Sequence, residues 1–268
     1  MKFSICQESL IGARPTNQDR VGYCYTSEAL LLLLADGMGG HQLGEIGATL
    51  ALQAMSTLFQ EQAQPTINNP QHAIDDMVFA AHHALQRYRA EQRLAESPRT
   101  TIVVALIQDN HAYWAHCGDS RLYWMRNGQI LARTRDHSHV ERLIKEGRLN
   151  PAARLTHPDR NKLFNCLGAP TLPRVEQAAP VLLKAGDQLL LCSDGLWGAV
   201  AEHDLAYRLC TQELEQAVPE LVRSATAVGG KNSDNVTALA MTWQGNQSYR
   251  SQHRGAVQIH SQSTKLRA

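Results

Sequence analysis

Five consecutive leucines, Leu30–Leu34, run through Ala35 into Asp36 and then into Gly37-Met38-Gly39-Gly40-His41. That transition constrains the fold more than any other segment. An apolar run of strand length predicts a β-strand covered on both faces. The aspartate at its end is then delivered to the rim of the core. The glycines behind it let the backbone turn sharply and let main-chain groups approach a ligand that a side chain would exclude. Such a construction suits a metal ion or a phosphate.

The pattern recurs. In Asp187–Leu196 (DQLLLCSDGL) an apolar strand again ends on Asp-Gly, at Asp194-Gly195. The acidic cluster Asn232–Thr237 (NSDNVT) stands at the head of the apolar run Val236–Met241, and Gly118–Arg121 (GDSR) follows the strand-like Ala112–Cys117. Asn17-Gln18-Asp19 begins three residues after Arg14. Five carboxylates, Asp19, Asp36, Asp119, Asp194 and Asp234, thus sit at element ends. Gathered without matching lysines or arginines they would repel one another, and burial would worsen this, unless cations neutralise them. Hard oxygen donors with no Cys/His ligand spacing select magnesium or manganese over zinc or copper. A binuclear hard-metal centre is expected, of the kind that acidifies a bound water and clamps an in-line displacement at phosphorus.

The ordered set RPTNQD (14–19), ADGMGGH (35–41), TT (100–101), GDSR (118–121), TRDHS (134–138), CLG (166–168), LLLCSDGLW (189–197) and SDNVT (233–237) resembles the metal-dependent, type 2C serine/threonine protein phosphatases. It is most similar to the small single-domain bacterial members, over roughly residues 1–242. The resemblance implies hydrolysis of phosphoserine and phosphothreonine on proteins by attack of a metal-bridged hydroxide, with two Mn2+ or Mg2+ ions and a third, weaker one. It implies that Asp36 bridges the two metals, that the Gly37 carbonyl completes one shell, and that Asp194 and Asp234 are further ligands. Asp19 would stand close to the centre, Asp119 with Asp194 would hold the third metal, and Arg14 would grip the substrate phosphate. A planar fork matches two phosphate oxygens better than a lysine does. The expected partners are phosphorylated proteins and a cognate serine/threonine kinase. The alternative is a non-catalytic module that keeps the fold for docking onto phosphoproteins.

Two positions depart from the family pattern. Gln18 stands where the family often has Glu, removing one negative charge near the metals. Met38 occupies the place of a histidine in eukaryotic relatives, which leaves His41 as the candidate general acid, since an imidazole can be tuned to donate a proton near neutral pH.

Other chemistries lack support. In His116-Cys117-Gly118-Asp119-Ser120-Arg121 only three residues separate Cys117 from Arg121, too few for the phosphate cradle of a cysteine-dependent phosphatase, so Cys117 reads as a buried strand residue. Neither a P-loop signature nor a G-x-S-x-G elbow occurs. The 268 residues, 43% hydrophobic and 19% charged, suffice for one large core. No apolar run approaches the ~18–20 residues of a membrane span. The N-terminal MKFSICQESL lacks the features of a secretory signal, and six scattered cysteines fit free thiols in a reducing cytoplasm. A cytoplasmic monomer with no nucleic-acid partner is expected.

Helical spacing follows the glycine-rich loop at Leu43, Ile46, Leu50 and Met55, and again from Ile74 to Tyr88, with His82 and His83 expected on the polar edge of that helix. Strands are expected at 2–6, 20–25, 30–35, 101–108, 112–117, 120–126, 187–193 and 236–243. Helices outside hairpin-linked strands make an α+β fold. In the family this is a four-layer α-β-β-α sandwich, with two central antiparallel sheets and the metals at one end. Residues 136–173 match the family's variable flap, with a short helix over His139–Gly147. The basic residues between Lys145 and Lys162 are candidates for an acidic phosphopeptide. From Trp243 the chain becomes a basic, Ser/Gln-rich tail with four basic and no acidic residues, expected to be disordered.

Overall fold

The leucine run forms the middle of β3 (Ala29–Met38). Successive side chains of a strand point to opposite faces, so the run serves two cores at once. Leu30, Leu32 and Leu34 join an interior shared with a second sheet, while Leu31, Leu33 and Ala35 join one shared with helices. All six are at most 1% exposed. The computed structural model describes residues 1–38 and 43–245, together with the backbone of 258–260.

In its sheet β3 lies between β2 (Asp19–Tyr25) and β5 (Ile102–Gln108). Beyond β5 come β6 (His111–Cys117) and β10 (Val181–Leu182), and beyond β2 comes β13 (Gln258–His260). Two short pieces join the sheet, β4 (Arg99–Thr100) against the end of β3 and β9 (Glu176–Gln177) against β6. The second sheet has the order β1 (Lys2–Leu10), β12 (Val236–Gly245), β11 (Gln188–Cys192), β7 (Arg121–Arg126) and β8 (Gln129–Arg133). The pairings in both sheets are antiparallel.

Helices close both outer faces. On the β3 sheet, α1 (Leu43–Gln62) contributes Ala48, Ala51, Met55 and Phe59, and α2 (Pro70–Glu91) contributes Ile74, Met77, Val78 and Leu85. The start of α2 is set by Asn69, whose side chain accepts from His72 N at 3.2 Å, with Pro70 in the first turn. The flap carries α3 (His139–Lys145) and a 3-10 turn over Pro151–Thr156. On the other sheet lie α4 (Asp194–Trp197), α5 (Glu202–Thr211) and α6 (Leu214–Gly229). The layers therefore follow the order α-β-β-α. No element was expected across 198–231, although Leu214, Ala217, Val218, Leu221, Val222 and Ala225 form a buried stripe at helical spacing. Neither α5 nor α6 has a side-chain cap at its start, and Pro219 lies inside α6, so the capping signal is missing there although acidic residues occupy both first turns.

Two expectations need correction. The first residues of the tail expected to be disordered, Trp243 to Gly245, are strand: β12 runs on to Gly245 beside β1, with Trp243 opposite Phe3 and 1% exposed between the sheets. Further along, β13 pairs its backbone with the outer edge of β2, where unpaired N–H and C=O groups favour an added strand. His82 is likewise not on a polar edge. It is 3% exposed, and its Nδ1 accepts from Gly168 N at 3.2 Å. Among the described residues no helix is long and apolar enough to cross a membrane, and the six cysteines are free.

Strand pairing places the acidic residues. Asp19 and Asp36 are direct partners across β2 and β3. Because β11 and β12 are antiparallel, with Cys192 opposite Ala238, Asp194 at the exit of one lies beside Asp234 at the entry of the other. Asp119 occupies the turn between β6 and β7, at the end of β5 where Ile102 pairs with Cys117.

Candidate metal centre and phosphate pocket

Asp36, Asp119, Asp194 and Asp234 line one cavity of about 840 Å³ together with Arg14, Gly37, Thr101 and Asn161. Asp19 lies beneath, 4% exposed, where its Oδ2 accepts from Ser193 Oγ at 2.8 Å. The structure thus brings together every acidic residue singled out in the sequence, with Arg14 at the rim. His41 lies outside the described residues.

Local backbone chemistry holds this constellation. Asp36 is fixed through its main chain: its N–H donates to Thr101 Oγ1 at 3.0 Å, and its carbonyl accepts from Thr101 N and from Thr100 Oγ1, both at 2.9 Å. Thr101 Oγ1 in turn meets Ser120 Oγ at 2.7 Å, linking the end of β3 to the turn that carries Asp119. Gly37 is required by space. A Cβ there would stand 2.1 Å from the carbonyl oxygen of Gly44 and 2.7 Å from that of Gln18. Asn235, next to Asp234, accepts from Gln18 N at 2.8 Å and donates to the carbonyls of Ile11 and Thr16 at 2.9 and 3.0 Å. It ties the first motif to the last. Ser193 both donates to Asp19 and accepts from Thr237 N at 3.0 Å. The letters of Thr100, Thr101, Ser193 and Asn235 belong to the recognised motifs, but nothing in their spacing assigned them these tasks.

A second set of residues secures Asp119. Its carbonyl accepts from Trp197 Nε1 at 2.9 Å, and the Trp197 ring carries the Arg121 guanidinium 3.6 Å above it. Arg121 is bidentate to Asp136 at 2.7 Å on both arms, and both residues are buried. Arg154 of the flap reaches the same carboxylate at 3.3 Å and Glu141 at 2.6 Å. The flap is therefore fastened to the turn holding Asp119 through one buried ion network.

The electrostatics are those of a site built around positive charge. Burial, followed by the neighbouring charges of Asp19, Asp194, Asp119 and Asp234, raises the pKa of Asp36 well above the carboxylate range. Asp194 is raised in the same way, by burial and then by Asp119 and Asp234. Burial takes Asp119 to about 7 and Asp19 to about 6, the latter against the pull of hydrogen bonds from Thr237 and Ser193. Asp19 Oδ1 is buried without a hydrogen-bond partner among the described residues. Arg14 Nη2, 2.7 Å from Asp234 Oδ2, is the cation paired with this cluster. An all-oxygen donor set with a surplus of negative charge and an orphaned carboxylate oxygen fits hard divalent cations.

His116, His137 and Glu176 also converge, with potential ligand atoms within 4.8 Å of one another. Their hydrogen bonds oppose a metal there. Asn165 is oriented by the Arg174 backbone, accepting from its N–H at 2.9 Å and donating to its carbonyl at 2.7 Å. Asn165 Nδ2 and Gly118 N therefore both donate to His137 Nδ1, at 2.7 and 3.2 Å. The proton of the neutral ring is then on Nε2, facing Glu176 Oε2 at 3.5 Å. His116 spends its Nε2 proton on the carbonyl of Arg135 at 2.6 Å. Burial lowers the pKa of both histidines, that of His137 to about 4, so the pair stays neutral and braces the Gly118–Asp119 turn.

Comparison with known proteins agrees with this geometry. Residues 6–233 match the family described as Protein phosphatase 2C. Serine/threonine protein phosphatase PstP of Mycobacterium tuberculosis is 32% identical over 230 residues, covering 84% of this chain. This chain spans only 42% of the length of that relative. Protein phosphatase PhpP of Streptococcus pneumoniae is 30% identical over 236 residues, covering 85% of this chain and 93% of PhpP. The crystal structure of the catalytic domain of PstP in complex with two manganese ions superimposes with a TM-score of 0.76 at 29% identity, covering 90% of this chain and 97% of that one.

Proposed function

The chain belongs to the protein phosphatase 2C family, and we propose that it is a manganese- or magnesium-dependent phosphatase acting on phosphoserine and phosphothreonine in proteins. The observation that carries this reading is the single cavity lined by Asp36, Asp119, Asp194, Asp234 and Arg14, with Asp19 buried beneath it. Asp36, Asp194 and Asp234 would hold a pair of cations, with the Gly37 carbonyl completing one shell and Asp19 supporting Asp36 from below. Asp119 with Asp194 would hold a third ion more weakly. When bound, such cations neutralise the carboxylates and activate a water for in-line attack on phosphorus.

The remaining work belongs to the protein's own groups. Arg14, exposed and hydrogen-bonded to Asp234, can turn its fork onto two oxygens of an incoming phosphate while Asp234 keeps its place at the centre. Thr101 holds the Asp36 backbone still, and the hydroxyl of Ser193 favours the charged form of Asp19. His41 is our candidate for protonating the leaving oxygen. We assign residues 1–245 to the catalytic unit, with 136–173 as its flap. The partners we propose are phosphorylated proteins and the kinase that modifies them, with the chain acting as a monomer in the cytoplasm. A docking module without catalysis would have no need of five intact carboxylates around one cavity.

The test is release of phosphate from a phosphothreonine peptide by chelator-treated protein, with and without added manganese. Manganese-dependent release is expected. No release by protein that binds manganese would overturn the reading in favour of docking.

A further inference from the structure

The cavity of the metal centre opens into a second one of about 320 Å³, and the two share Arg14, Asp119, Asn161, Asp194 and Asp234. The second is a groove between the flap and the ends of α4 and α6. Its character changes away from the carboxylates. Leu155 on the flap, Val228 near the end of α6, and Trp197 and Val140 give it apolar walls. Leu155 is 48% exposed and Val228 70% exposed, so the two walls of one groove both present uncovered apolar surface beside the charged centre.

This wall is not a loose loop. Arg154, next to Leu155, is only 17% exposed and is pinned by Asp136 and Glu141. The Leu155 side chain sits over the end of α4, where a Cβ on Gly198 would stand 4.0 Å from its Cδ2. The cations of the groove also differ from one another. Arg14 is engaged by Asp234, and Arg154 by its two carboxylates. Arg160 is exposed and has no ion pair among the described residues.

A phosphorylated residue in a polypeptide is continued by chain on both sides. With its phosphate between Arg14 and the carboxylates, one flank must pass into the space that opens from them. We propose that the groove is a substrate subsite that selects phosphoproteins carrying, on the same flank as the phosphorylated residue, an apolar side chain to cover Leu155 and Val228 and an acidic side chain to meet Arg160. This inference rests on the phosphatase reading and narrows it to a class of substrate.

The test uses manganese-loaded full-length protein and phosphothreonine peptides whose flanks are apolar and acidic, alanine and acidic, apolar and lysine, or all alanine. The readout is kcat/KM on each peptide divided by kcat/KM on p-nitrophenyl phosphate, which is too small to reach the groove. The apolar-acidic flank is expected to exceed the all-alanine flank by about tenfold, the sum of one partly buried apolar contact and one exposed ion pair. Arg160→Glu should reverse the preference between acidic and lysine flanks, and Leu155→Ser should abolish the preference for the apolar residue. Thermal unfolding checks that both surface variants remain folded. Apolar-acidic and all-alanine flanks that agree within about twofold, given that the apolar contact alone is worth more than this, or a charge preference unaltered in Arg160→Glu, would overturn the subsite while leaving the phosphatase reading intact. Failure to hydrolyse both the peptides and the small ester would refute the phosphatase reading, and the subsite with it.

Discussion

Replacing Asp36 by Asn is expected to destroy turnover and, in the metal-free protein, to raise stability. Asp36 faces the charges of Asp19, Asp194, Asp119 and Asp234 from a buried position, and its pKa is raised accordingly. The folded state thus holds the proton of Asp36 more tightly than the unfolded chain does. The stability linked to that proton is complete at low pH and is lost as pH rises above the ordinary carboxylate value. A carboxyl can always escape repulsion by taking up a proton, so its penalty at pH 7 is capped at about 4 kcal/mol, three pH units at 1.36 kcal/mol each. Asn has nearly the same shape and no charge, and local relaxation in the parent recovers part of the penalty. We therefore expect Asp36→Asn to stabilise the metal-free protein by about 1–3 kcal/mol at pH 7.5, or about 2–10 °C in Tm for a domain of this size. At pH 5 the gap should shrink, because protonation relieves the parent as well. Manganese reverses the order: at roughly a thousandfold excess over its Kd it stabilises the parent by about 4.1 kcal/mol, and the variant by much less. The assay is thermal unfolding of chelator-treated protein at both pH values, with and without manganese, alongside phosphate release. A metal-free variant less stable than the parent at pH 7.5, or a gap equal at the two pH values, would refute the view of these carboxylates as a repulsive cluster awaiting cations.

Arg14→Ala should mainly raise KM for a phosphopeptide, since the exposed guanidinium is placed to bind ground state and transition state alike; steady-state kinetics showing an effect confined to kcat would exclude that role. Ser193→Ala removes a hydrogen bond to a buried carboxylate and another to Thr237 N, and should cost about 1.5–3 kcal/mol in denaturant unfolding. Arg121→Met leaves Asp136 buried with only the longer contact to Arg154, and should cost about 3 kcal/mol or more. Adding Asp136→Leu to that variant should return part of the loss in the same unfolding assay, because no unpaired charge then remains.

The packing of helices on a buried sheet was legible because the chain writes its burial plainly, while the full four-layer order came from the family resemblance. A run such as Leu30–Leu34 needs cover on both faces, and the stripes beginning at Leu43 and Ile74 are the helices that cover one of them. Helices α5 and α6 were harder to see: their apolar stripe is present, but their starts lack side-chain caps and a proline, Pro219, lies within α6. Trp243 looked like the first residue of a polar tail because nothing after it is apolar in pattern, and its pairing with Phe3 and packing in the core between the two sheets place it in the interior.

The site divides along the same line. Acidic residues at strand ends, followed by glycine, state by themselves that negative charge is delivered to the rim of a core, and repulsion among them calls for hard cations. That much is local chemistry, carried by residue type and position along the chain. Which acids meet is a matter of pairing between distant strands: Asp19 against Asp36 through the register of β2 and β3, and Asp194 beside Asp234 because β11 and β12 run antiparallel. The supports, Thr101 to Asp36, Ser193 to Asp19, Asn235 to Gln18 and Trp197 to Asp119, join residues 65 to 217 positions apart. A side-chain hydrogen bond has no reach beyond about 3 Å and leaves no periodicity in the sequence. The tertiary structure alone decides those contacts, and with them the groove that Leu155, Arg160 and Val228 form beside the centre.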